Sequence, residues 1–197
     1  MYLIYNRQAL AITMKRYIVH LRNKDFDAKN AKELLLKARS LADDVIIRDT
    51  RVSSKHIEFD LSIASEKVES LLESLSKIAP LAGYTEIVEK EVEKEHAIEH
   101  AKSLFNSERY WECHEVLEGV WKRTSGSEKQ LLQGIILTCA AFVHSQKDED
   151  DTCFSVLNRA LAKLQDSKGI YYGIDNDRFK QMVANILATK NIQYFKI

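Results

Sequence analysis

The sequence predicts an α+β fold in two parts, sheet first and helices second. Runs rich in β-branched and aromatic residues fall before residue 90, in the order strand, helix, strand pair, helix, strand. Beyond that point the apolar residues recur at helical spacing. The length, 197 residues, is long for one small domain and comfortable for two. The expected division is residues 14–90 for an α+β domain and 91–197 for a helical one. Residues 1–13 read as an upstream extension, because MKRYIVHLR from Met14 has the form of a domain opening directly on a strand.

In the first part KRYIVHLR is a strand. From Asp27 a helical stripe takes over, with Ala31, Leu34, Leu35, Ala38 and Leu41 on one face. VIIRDTRV and HIEFDLSI form a strand pair turning near Ser53 and Ser54. Ser65 is placed to cap a second helix that buries Val68, Leu71, Leu72, Leu75 and Ile78 and ends by Pro80 and Gly83. YTEIVE closes the series. The order β-α-β-β-α-β is that of the ferredoxin-like fold. Such sheets often bind RNA on an open face, but here His56, Glu58 and Asp60 make the expected open face acidic and leave it without a stacking aromatic.

The last strand runs almost directly into IVEKEVEKEHAIEHAKSLF, which has no Gly or Pro, so a fixed relation between the two parts is expected. The charge run and the pair His96 and His100 read as a solvated face. NSERY breaks this helix, and a second runs from about Arg109 to Arg123. TSGS leads into EKQLLQGIILTCAAFVHS, apolar almost all round and therefore buried. A hairpin between these two helices places Gln133 opposite Glu118 and His144 near Arg109. KDEDD opens a further helix, and Asp175 caps a last one after the loop SKGIYYGID, for a bundle of about five helices. The tail NIQYFKI is apolar enough to dock, and another subunit is one candidate surface, so a homo-oligomer is among the expectations.

Composition bounds the partners. Lys plus Arg and Asp plus Glu both total 29, so no net field draws the chain to nucleic acid or to an anionic membrane, and neither partner is expected. No apolar run approaches the ~20 residues that span a bilayer. Cys113, Cys139 and Cys153 are odd in number, lack CxxC spacing and fall in or beside apolar stripes, so they read as reduced core residues of a cytoplasmic protein.

One stretch is not explained by folding alone. HEVLEGVW, residues 114–121, puts His114 and Glu118 four apart on the flank of an apolar helix face, beside Trp121, with Glu115 three residues from Glu118. FNSERYWECHEVLEGVW followed by LLQGIILTCAAFVH and an LNRALAKL helix resembles the small helical proteins grouped as domain-of-unknown-function family 309. The family phrase F-N-x-x-x-y-w-e-x-H-E-v-L-E-x-x-W matches at Phe105, Asn106, Trp111, Glu112, His114, Glu115, Leu117, Glu118 and Trp121. Its second phrase matches at Gln133, Gly134, Ile136, Ala140 and His144, and departs at Thr138, where the family usually has glutamine. The likeness covers roughly residues 92–165 and implies a helical fold with no established activity.

Two chemistries fit the motif. In the first, His114, Glu115, Glu118 and Gln133 form a hydrogen-bonded polar seam in a binding or structural protein, with the Trp121 N–H satisfied. In the second, His114 and Glu118 ligate a divalent metal and Glu115 takes the place of the general base in HExxH zinc peptidases, giving a metal-dependent hydrolase. A glutamate in place of the second histidine favours Mg, Mn or Fe over structural zinc. Trp121, Gln133 and His144 are then the supporting residues. A metal-free acid/base pair of His114 and Glu118 is a third use. The small-molecule ligand, the reaction and the substrate are not encoded in any of these patterns.

Overall fold

The computed structural model describes residues 14–88 and 92–197. The expectation about residues 1–13 and part of the strand-to-helix junction lie outside them. The sheet unit comprises β1 (Met14–Arg22), α1 (Ala31–Ser40), β2 (Ile46–Val52), β3 (His56–Ala64), α2 (Val68–Leu75) and β4 (Leu81–Glu86). The helical unit comprises α3 (Lys94–Asn106), α4 (Tyr110–Trp121), α5 (Gly126–Ser145), α6 (Asp150–Leu164) and α7 (Asn176–Thr189). A two-strand ribbon, β5 (Ile170–Tyr171) and β6 (Ile174–Asp175), fills the loop before α7. Among the described residues no helix is long and apolar enough to cross a membrane.

The four strands pair antiparallel in the order β2-β3-β1-β4. Period-2 alternation sends Ile57, Phe59, Leu61 and Ile63 of β3 into an apolar core shared with Leu34 and Ala38 of α1 and Leu71, Leu72 and Leu75 of α2. Two local expectations are corrected. Ser65 does not cap α2; it begins a 3-10 turn whose N-cap is Ala64, and its hydroxyl accepts from the Tyr17 hydroxyl instead. The last strand starts at Leu81, three residues before Tyr84, and Gly83 lies within it, opposite His20 and next to a register shift. A glycine inside a strand commonly marks such a bulge.

The helical unit has its own core. Phe105 of α3 is fully buried and meets the rings of Tyr110, Phe142, Phe179 and Phe195. Asp175 caps α7 by accepting from the Arg178 backbone N–H. The apolar tail docks on its own chain: Phe195 joins the core, and Ile197 exchanges two backbone hydrogen bonds with the Asn106 side chain. Cys113, Cys139 and Cys153 are free and buried.

Gly134 sets the approach of α5 to α6. A Cβ there would lie 2.6 Å from two atoms of Leu164, whose side chain is itself fully buried. Gly134→Ala is therefore expected to lower stability by about 1–3 kcal/mol, an overpacking cost, although alanine is the better helix former. A urea midpoint at or above wild type would show that Leu164 moves aside freely.

The largest correction concerns the sheet's second face. All nine residues of β3 are buried, including His56, Glu58, Asp60 and Ser62. The face expected to be open and acidic is covered by the turn before α4 and by the first turn of that helix, which carries Trp111 and Glu112.

Candidate functional site

The motif helix starts after a sharp turn. Glu108 has φ +63°, and its carboxylate accepts from the backbone N–H and hydroxyl of Ser54 in the β2–β3 turn. Lys55 donates to the carbonyl of Asn106, and the Val52 N–H donates to the carbonyl of Gln146. The β2–β3 turn thus grips both the start of α4 and the end of α5.

On α4 the side chains of His114, Glu115 and Glu118 bring one ligating atom each to within 4.8 Å of one another. The His114 and Glu118 side chains are 29% and 37% exposed, and Glu115 is exposed, so the cluster faces solvent. His114 Nε2 and Glu118 Oε2 are 3.9 Å apart, too far for a hydrogen bond. Lys122 Nζ lies 3.8 Å from the other oxygen of Glu118. The hydrogen-bonded seam expected among these residues does not form. Half-buried Gln133 makes no hydrogen bond to His114 or Glu118, and His144 pairs instead with Glu149 across the α5–α6 turn. The Trp121 Nε1 is buried without an acceptor among the described residues, contrary to expectation, while Lys129 sits 4.4 Å over its ring. Thr138, at the position where the family pattern has glutamine, bonds back to the Gly134 carbonyl and is fully buried. His96 and His100 are exposed, as a solvated face requires.

A second cluster lies beneath the same helix, and sequence reasoning missed it. His20 Nε2 sits 3.0 Å from Glu58 on β3 and 3.1 Å from Glu112 on α4. Arg51 pairs with Glu58, and Arg109 holds both oxygens of Glu112. Arg16 grips Asp60 through two hydrogen bonds. The Trp111 ring lies 4.6 Å from the Arg16 guanidinium and 5.3 Å from that of Arg51. Burial alone would raise the Glu58 and Glu112 carboxyls. Arg51 and the histidines outweigh it at Glu58, and His20 with Arg109 outweigh it at Glu112, so both stay below the usual carboxylate range. Burial and the neighbouring His20 charge press His56 down to about 4.

His20, His56 and Glu58 also have metal-ligand proximity. A divalent cation there would have to compete with Arg51 for Glu58, a carboxylate already neutralised, leaving excess positive charge in a buried seam. The solvent-facing HExxE cluster carries no such penalty. The signal for the buried cluster was the placement of Arg16, His20, Arg51, Glu58 and Asp60 on three adjacent strands, with His20 and Arg51 directly across from Glu58 and Arg16 diagonal to Asp60.

Residues 98–156, from α3 into α6, match the domain of unknown function DUF309. A conserved hypothetical protein from Thermus thermophilus, known from its crystal structure, is 32% identical; the match covers 46% of this chain and 95% of that one, with a TM-score of 0.41. The chain belongs to the DUF309 family. No curated protein matches it. The DUF309 segment contains both His114, Glu115 and Glu118 and the Trp111–Glu112 pair that meets the sheet, while the sheet unit lies outside the matched residues. Two surface grooves, one along α7 and one between α6 and α7, include none of the ionisable residues of either cluster.

Proposed function

We propose that this DUF309 protein binds a divalent cation through His114, Glu115 and Glu118, and that the sheet unit is a scaffold for the helix presenting them. The observation that carries the reading is the convergence of one imidazole and two carboxylates within 4.8 Å, facing solvent, with no hydrogen bond tying them to one another. A polar seam needs its members paired, whereas a metal site needs lone pairs turned to a common point. One nitrogen and two oxygens suit Mn, Fe or Mg better than structural zinc and leave coordination positions for water or a ligand. A hydrolase is the second reading, supported by the exposure of Glu115, which leaves that carboxylate accessible to a water nucleophile.

The scaffold reading takes residues 14–90 as a ferredoxin-like domain and 91–197 as a helical one, supported by the strand order and by the two separate apolar cores. Buried free thiols support a reducing, cytoplasmic setting.

Elemental analysis of protein purified without chelator or affinity tag tests the proposal. Wild type is expected to carry near-stoichiometric Mn or Fe, or to take up Mn on incubation. A His114→Ala, Glu118→Ala double variant that retains its helical circular dichroism is expected to carry none. Wild type that stays metal-free after incubation with Mn and dialysis would sink the proposal.

A further inference from the structure

The two carboxylates that meet His20 belong to different cores. Glu58 stands on β3 and Glu112 on α4, and both approach the same ring nitrogen. A single N–H cannot serve two acceptors at full strength, so a large share of what holds both carboxylates there is positive charge on the ring. The His20 side chain is 8% exposed, and water screens this contact little. We propose that the proton on His20 is a latch between the sheet and the motif helix, docking α4 firmly near neutral pH and loosening it in alkaline solution. The latch is independent of whether the HExxE cluster takes a cation.

The groups facing His20 set the sign. From β3 come Glu58 and His56; from β2 comes Arg51, acting through Glu58; from α4 comes Glu112, with Arg109 and Glu108 in the turn before it. Burial lowers the affinity of the ring for its proton, but the two carboxylates outweigh burial and raise the pKa above 6.5. Glu58 stays beside His20 when α4 leaves, so docking is linked to the part of the rise that Glu112 supplies, a contribution complete below the undocked midpoint and lost as pH climbs through the docked one. Each pH unit between the docked and undocked midpoints is about a tenfold change in the docking equilibrium. The acid limit is set by other groups. His56, held near 4, favours the undocked state as pH falls from 6.5. Glu58 and Glu112, held low, give up their contributions below about 4.5.

Trp111 reports the latch, since it lies between the sheet arginines and the chain has two tryptophans. In full-length Trp121→Phe protein, the Trp111 emission is expected to shift red between pH 6 and 9 with a one-proton midpoint above 6.5, while far-UV circular dichroism stays constant. His20→Gln in that background keeps an N–H donor but not the charge, and is expected to abolish the transition. Where that variant does not fold, Glu112→Gln replaces it, and the midpoint is expected to fall toward 6.5. Proton NMR of the His20 ring in wild type gives the midpoint directly. A flat emission profile in the Trp121→Phe protein, an unchanged transition in His20→Gln, or a ring midpoint at or below 6.5 would each overturn the proposal.

Discussion

Arg51→Met is expected to destabilise the protein by about 3–5 kcal/mol, the usual cost of leaving one member of a buried ion pair without its partner. The Arg51 and Glu58 side chains are each 2% exposed, so water cannot reach Glu58 once the guanidinium is gone. The same change removes the contacts of Arg51 with Asp49 and with the Trp111 ring. Adding Glu58→Gln is expected to restore much of the loss, because a neutral amide is far cheaper to bury than a carboxylate that has lost its guanidinium and keeps His20. Urea denaturation of the four proteins of the double-mutant cycle measures the coupling. A single-variant loss below about 1 kcal/mol would mean that the pair is hydrated and that the seam is not the dry network described above.

Phe105→Ala is the second large loss, about 3–5 kcal/mol. Its ring lies 5.1 to 6.1 Å from the four rings of Tyr110, Phe142, Phe179 and Phe195, which come from α4, α5, α7 and the tail. Edge-to-face and tilted contacts of this kind add to the area term. No single neighbour can collapse into the space while keeping its other ring contacts. Phe105→Leu is expected to cost less than half as much. In the alanine variant hydrogen exchange should rise first in α7 and in residues 191–197, because Phe195 loses a ring neighbour on one side. Uniform loosening of the whole chain would instead mark Phe105 as part of a single cooperative unit.

Much of this architecture was legible in the residues. The 3.6-residue stripes place all five helices of the second unit, and the HExxE spacing brings His114, Glu115 and Glu118 together because residues three and four apart share a helix face. What fails are inferences about partners across space. The geometry of an ideal hairpin sets the end of α5 beside the start of α4, as the Gln146 bond to the Glu108 carbonyl has it, but the pairing it assigns to Gln133 with Glu118 does not form, and His144 turns to Glu149. The alternation of β3 is plain in its residues, yet nothing in it shows that the polar half is kept from water. Periodicity tells which residues share a face, never what lies upon it. Only the complementary charges of β1, β2 and β3, with Trp111 and Glu112 left over from the motif, could have told that this face had a cover.

The charges of the seam are mostly settled within each unit before the units meet. Arg51 with Glu58 and Arg16 with Asp60 are pairs of the sheet, and Arg109 with Glu112 is a pair of the helix. Parting the units would leave these three pairs intact, while Glu112 would lose His20 and Glu108 would lose Ser54 and Lys55. Such a joint lets a different scaffold carry the helical unit once it supplies what the sheet gives to Glu108 and Glu112.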